Sequence, residues 1–205
     1  MVIKNVEFVG AIANIDGNAP GGLPQVAFAG KSNVGKSSLI NRLLGRTRTA
    51  VARVSSTPGK TREVNFFDVT ATSSKDTTFH FYAVDLPGYG YAKVPVAVRK
   101  QWQPLIEWYL GNTDQLRGVV QLIDVRHEPA EADRLMLRYL EQTEVPTLFV
   151  LTKVDKLTRS ERATHVRKVL RGLGIDAEQA IEFSAKTGEG RQELLDSIEA
   201  LVLGT

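Results

Sequence analysis

No cysteine occurs among the 205 residues, which excludes disulfide bridges and thiolate metal centres. Histidine is scarce as well: His80, His127 and His165 lie far apart in the sequence, too dispersed to suggest a zinc site. Apolar runs are short. The N-terminal stretch MVIKNVEFVGAIAN is broken by Lys4, Asn5 and Glu7, and nothing approaches the ~18 uninterrupted apolar residues of a membrane span. A reducing cytoplasm is therefore the expected setting, with no membrane partner. Internal repeats and low-complexity tracts are also missing. Charge of one sign is barely in excess: 26 Lys+Arg against 23 Asp+Glu leave a net +3, which permits an RNA partner without requiring one.

What is present is a composition that folds, 42% apolar and 24% charged, in a length that suits one well-buried domain, expected as a monomer. NIDGNAPGGLP, residues 14–24, is the one linker-like piece and divides an N-terminal arm (1–24) from a single domain (25–205). The arm reads equally as an added strand or a loose segment. Beyond it, strand and helix signals alternate. QVAFAG (25–30) is a short apolar run, and Leu39, Ile40, Leu43 and Leu44 then recur at helical spacing until Gly45. Two aromatic and β-branched runs at 62–69 and 78–85 flank a polar loop and read as an antiparallel hairpin. Helices are expected at about 95–110, 130–142, 159–172 and 188–203, alternating with strands at 118–125, 145–152 and 180–185. That order predicts an α/β fold, a six-stranded, mostly parallel sheet with one antiparallel strand, covered by helices on both faces. Ligands of such sheets bind at the carboxyl ends of the strands.

One of those ends carries GKSNVGKS, residues 30–37, which fits G-x-x-x-x-G-K-[ST] between a strand and a helix. Gly30, Lys31, Ser32, Asn33, Val34 and Gly35 would wrap phosphates with inward N–H groups, helped by the partial positive charge of the helix start at Lys36, Ser37 and Ser38. Lys36 would reach the β and γ phosphates. Ser37 would place its hydroxyl on Mg²⁺, which takes few protein ligands. The alternative is a tight glycine turn capping a core helix. The fold expected is then the three-layer α/β/α sandwich of the P-loop NTPases.

TKVD (152–155) follows an apolar strand. A fixed Asp155 carboxylate can accept from both N1–H and the exocyclic amine of guanine, donors that adenine does not present in that arrangement. The stem of Lys153 can lie along the base, and Ser184, Ala185 and Lys186 can offer backbone N–H groups to the guanine O6. DLPG (85–88) supplies Asp85, to hold Mg²⁺ through water, and the Gly88 N–H for the γ phosphate. In SSTPGKTRE, Gly59 and Lys60 precede Thr61, a second hydroxyl for Mg²⁺ or else a plain turn residue. A loop ordered only with γ phosphate and Mg²⁺ is a switch.

Phosphate loop, switch threonine, DxxG, TKxD and SAK in this order resemble a Ras-like GTPase of the TRAFAC class. LPQVAFAGKSNVGKSSLINRLL, STPGKTREVNFF and DLPGYGYAKV are similar to the EngB group, also called YihA or YsxC, over about residues 5–200. The resemblance implies a role in large ribosomal subunit assembly, with the subunit precursor and rRNA as partners, and a requirement in growth and cell division. Two positions depart from the wider pattern. Thr152 stands where Asn is usual, which bears on the contact between base loop and phosphate loop. Tyr89 stands where Ras has the water-orienting Gln, which implies slow intrinsic hydrolysis. In related GTPases lacking that Gln, an Asn at the place of Asn33 helps bind K⁺. Alternatively, Asn33 braces the loop locally. Arg46, Arg48, Arg53, Lys60 and Arg62 around the first switch, with Lys93, Arg99 and Lys100 after the second, form either a basic rim for rRNA or a solvated surface. Tyr89 and Tyr91 would stack on an RNA base or pack under the switch.

Two functions follow: a GTP-hydrolysing enzyme served by Lys36, Thr61 and the Gly88 backbone, or a nucleotide-gated binding module with negligible turnover alone. An ATP-using enzyme on the same loop is opposed by Asp155.

Overall fold

Six consecutive buried residues, Gln25–Gly30, form the strand around which the rest of the molecule is laid. The computed structural model describes residues 1–17, 19–46, 52, 63–90 and 96–204, with only the backbone for 96–103. In chain order the elements are β1 (Val2–Ile12), β2 (Gln25–Gly30), α1 (Lys36–Leu43), β3 (Val64–Thr72), β4 (Thr78–Asp85), α2 (Val96–Gly111) and β5 (Leu116–Asp124). There follow α3 (Glu131–Thr143), β6 (Thr147–Thr152), α4 (Arg159–Leu173), β7 (Ala180–Phe183) and α5 (Arg191–Leu203).

Alternate residues of β2 feed two different layers, as the period of a strand dictates. Val26 and Phe28 face α1 and α5, where they join Leu39, Ile40, Leu43, Leu194 and Ile198. Ala27 and Ala29 face α2 and α3, under Leu105, Ile106, Tyr109 and Leu140. Further along that second face, α4 sets Val169 and Leu173 on Phe149 and Leu151 of β6. This is the three-layer α/β/α sandwich that the alternating pattern predicts. Phe28 has no exposed surface. Its truncation to alanine costs about 3–5 kcal/mol, a large share of an ordinary domain's stability.

The sheet has seven strands in the order β1-β3-β4-β2-β5-β6-β7, one more than the six expected. Residues 2–12 supply the seventh by pairing antiparallel with β3 from Val2↔Thr72 to Ile12↔Val64. Of the two readings of the arm, the added strand is the one observed; irregular register between Ile3 and Asn5 and again between Phe8 and Gly10 breaks the two-residue period, which is why the pattern alone leaves it undecided. Only β3 runs against the others, because it pairs antiparallel with both β1 and β4. Gln25 ties the segment before it to the domain: its amide donates to the Pro20 carbonyl (2.9 Å) and its carbonyl accepts from the Tyr109 hydroxyl (2.8 Å). Among the described residues, no helix is long and apolar enough to cross a membrane.

Candidate functional site

The carboxyl ends of β2, β4, β5, β6 and β7 lie side by side, and the residues singled out by sequence lie along that edge. After β2 the chain turns through Lys31–Val34 and enters α1. Gly35 precedes the helix at φ +108°, a conformation that side chains rarely adopt. Gly30 is needed for a different reason: a Cβ there would fall 2.8 Å from Val34 Cγ1 and 3.1 Å from Leu122 Cβ. Among the described residues no side chain caps α1 and no acidic residue occupies its first turn, so the helix itself leaves the positive end of its dipole open. An anion fits such a start.

Lys36 opens α1 and is buried, its ammonium bonded to the Asp85 carboxylate at the end of β4. The parallel pairing Phe28↔Asp85 brings that carboxylate alongside the phosphate loop. Ser37 follows, half-buried. Ser37 and Asp85 are hard oxygen donors, the kind Mg²⁺ takes, and too few to form a cage without phosphate and water. The described residues include no group of three or more His, Cys, Asp or Glu side chains placed to hold a metal. Gly59, Lys60 and Thr61 lie outside the described residues, as do Arg48, Arg53, Arg62, Tyr91 and Lys93 and the side chains of Arg99 and Lys100.

At the other end of the edge, β6 stops at Thr152, whose hydroxyl donates to the Val34 carbonyl at 2.7 Å. The departure from the usual Asn thus keeps a bond between the two loops. Lys153, at φ +65°, crosses back over the phosphate loop and donates to the Asn33 carbonyl (2.6 Å). A 3₁₀ turn, Val154–Lys156, then presents Asp155, braced at 2.8 Å by the buried Ser184 hydroxyl from the end of β7. Gly35, Ser38, Lys153, Asp155, Ala185 and Lys186 line a cavity of about 370 Å³ that opens onto the start of α1. One carboxylate oxygen pinned by a serine leaves a fixed anion facing a cavity whose floor is a helix start. That arrangement suits a flat base with two adjacent donors, attached to a phosphate chain.

Asp124, at the end of β5, was not among the sequence candidates. It holds Lys153 Nζ at 2.8 Å and takes two bonds from the Arg126 guanidinium, at 2.9 and 2.8 Å. Burial works against its ionisation, yet Arg126 and Lys153 outweigh it and hold the carboxyl down at about pKa 2. A signal was available in the sequence, an aspartate closing an apolar strand; the structure sets it in register with Thr152 of β6.

Tyr89 resolves one open alternative. It is 5% exposed, its hydroxyl donates to Asp133 at 3.0 Å, and Gln121 donates to it in turn, so it packs under the segment and is not available to stack on a base. Burial and the nearby Asp133 carboxylate push its phenol well above the ordinary value, and it stays a neutral donor.

Residues 25–153 match the family described as 50S ribosome-binding GTPase. Curated relatives described as probable GTP-binding protein EngB span nearly the whole chain. The one from Gemmatimonas aurantiaca is 47% identical over 98% of this chain and 95% of its own length, and the one from Syntrophus aciditrophicus is 47% identical over 97% and 95%. Among solved structures, a probable GTP-binding protein engB superposes with a TM-score of 0.65 at 23% identity, over 88% of this chain and 100% of that one. Era from Aquifex aeolicus bound to GDP and AlF4⁻ gives 0.70 at 22% identity, over 88% of this chain and 57% of its own. At these identities the likeness carries the fold alone.

Proposed function

Since this chain belongs to the EngB family of GTP-binding proteins and is a GTP-hydrolysing enzyme, we propose that it acts as a nucleotide-gated factor in large ribosomal subunit assembly. The observation that carries the nucleotide side is the convergence of Thr152 and Lys153 on the phosphate loop, beside a serine-braced Asp155 at the mouth of a cavity. In this reading Asp155 selects guanine, Ala185 and Lys186 backbone groups meet its O6, and the N–H groups of Gly35, Lys36, Ser37 and Ser38 hold phosphates. Bound Mg²⁺ would supply charge neutralisation on the β and γ phosphates. Ser37, Thr61 and, through water, Asp85 would hold it, with Lys36 leaving Asp85 for the phosphates. Gly88 would donate its N–H to the γ phosphate.

Turnover is slow in this proposal because Tyr89 is turned into the fold and no side chain at that position orients the attacking water. The same burial favours the second reading, a binding module with negligible turnover until the ribosomal particle activates it. K⁺ beside Asn33 would add positive charge next to the transferring phosphoryl group, in the manner of an arginine finger. The main-chain bond from Lys153 leaves the Asn33 side chain, on an exposed residue, out of the brace between the loops. The matched family is described as ribosome-binding, which supports a large-subunit precursor and its rRNA as partners. A cytoplasmic monomer needed for normal growth and division completes the proposal.

Titration with fluorescent GDP, competed by GTP, GDP and ADP, tests the nucleotide half. Guanine nucleotides alone should compete, and Asp155→Asn should weaken them by about 100-fold, the scale of two lost charge-assisted bonds. Equal competition by ADP would remove the guanine reading. Cosedimentation with separated ribosomal subunits, in GTP analogue and in GDP, tests the other half. Nucleotide-independent or small-subunit retention would sink it, and GTP turnover with and without large subunits separates an enzyme that turns over alone from a gated module that the particle must activate.

A further inference from the structure

The backbone around Tyr89 does as much as its side chain. Its N–H donates to the Gly30 carbonyl (3.3 Å) and its carbonyl accepts from the Ser32 N–H (2.9 Å), a short parallel bridge to the phosphate loop. One residue earlier, Gly88 lies so close to that loop that a Cβ would stand 3.0 Å from Ser32 Oγ and 3.2 Å from Ser32 Cα. One residue later, Gly90 at φ +72° passes α3 with only 3.0 Å between a Cβ and Ala132 Cβ. The segment is thus threaded between phosphate loop and α3: the Ser32 hydroxyl donates to the Gly88 carbonyl from the loop side (3.3 Å), and the ring of Tyr89 reaches away from the loop to the other side. Its hydroxyl meets Asp133, whose other oxygen accepts the Ala130 N–H at the start of α3 (2.9 Å), and the amide of Gln121 on β5.

We propose that Tyr89 is a positioning residue that holds the Gly88 backbone in register against the phosphate loop, with Asp133 and Gln121 as its fixed anchors. The γ-phosphate donor is then preorganised by the fold before nucleotide arrives, and GTP gains from it where GDP does not. This inference rests on the reading of Gly88 as that donor. It assigns position 89 a role opposite to that of a mobile glutamine: the side chain never approaches the reacting atoms and acts only through its neighbour.

The test is the ratio of affinities for a non-hydrolysable GTP analogue and for GDP, measured at equilibrium on the full chain, alongside melting temperature. Tyr89→Phe keeps the ring and removes the hydroxyl. It should weaken the analogue roughly tenfold, the scale of one lost bond to a charged group, and leave GDP unchanged. Asp133→Asn, which keeps an acceptor for the helix start, should show the same selectivity with a smaller loss, and the double variant should be no worse than Tyr89→Phe alone. If Tyr89→Phe lowers only the melting temperature, or weakens both nucleotides equally, while Gly88→Ala still loses the analogue selectively, the hydroxyl is merely structural and the proposal is overturned. If Gly88→Ala shows no selective loss, the γ-phosphate reading falls and the proposal with it.

Discussion

The two ends of the nucleotide edge are braced in different ways. At the base end, side chains do the work: Thr152 and Lys153 bond across to carbonyls of the phosphate loop, Asp124 holds Lys153, and Ser184 holds Asp155. At the γ end the loop is met by main chain, through the Tyr89 bridge and the close approach of Gly88 to Ser32, and side chains act one step further out, at Asp133 and Gln121. A side-chain brace can be altered one residue at a time, and its failure weakens every guanine nucleotide alike. A backbone brace shifts as a piece, and its failure is felt only by a ligand that reaches it. Selectivity for the base and sensitivity to the γ phosphate are therefore separable by mutation.

The largest expected effect lies where the two ends meet. Lys36 serves both, so Lys36→Ala should weaken GDP and GTP analogue together by at least about 100-fold. It also strands Asp85, 3% exposed, as an uncompensated buried charge, and the melting temperature should fall with it. Lys36→Met combined with Asp85→Asn separates the two effects: stability returns and binding does not. Recovery of binding in that double variant would show that Lys36 matters to the site only through Asp85.

A smaller change sharpens the contrast from the base side. Thr152→Val keeps the shape and removes the donor to the Val34 carbonyl, at a cost of about 1–2 kcal/mol, or roughly tenfold in GDP and GTP analogue affinity alike. Thr152→Ser should restore both. A loss confined to the GTP analogue would contradict the separation drawn above, because it would mean that the base-end brace transmits to the γ phosphate.

Much of the base end was legible from residues alone. Asp155, Lys153 and the phosphate loop are motifs with fixed spacing, and strand ends are visible as apolar runs that stop. The buried anchors were harder to see. Asp133 reads as an ordinary acidic residue in a helix's first turn and Gln121 as an interruption in a strand, and only the threading of residues 88–90 between β5 and α3 makes them partners of Tyr89. β1 was only half legible, as one of two readings of the arm, for a related reason: its irregular register blurs the period that betrays a strand, and Val2, Phe8 and Val9 stay exposed on an edge. Local pattern reveals chemistry that is local, and contacts that depend on crossing three elements leave no spacing to find.

Asp124 offers the subtlest probe, because its contribution depends on pH and not on nucleotide. Its folded pKa of about 2 lies below the ordinary 3.8, so the charged form is favoured by folding. A depressed carboxylate stabilises fully above its unfolded pKa and loses that contribution as pH falls through the folded value. Against Asp124→Asn, the wild type should then be more stable by roughly 1–2 kcal/mol above about pH 5, allowing for partial exposure of the network. The difference should shrink between about pH 4 and 2 and vanish below. Thermal melts of both proteins without nucleotide across that range read the effect directly. A difference that stays constant to pH 2 would make Asp124 a packing residue. A difference that collapses on schedule identifies the charge itself as what binds Arg126 and Lys153 together beside the phosphate loop, so the base end is prepared electrostatically where the γ end is prepared by backbone.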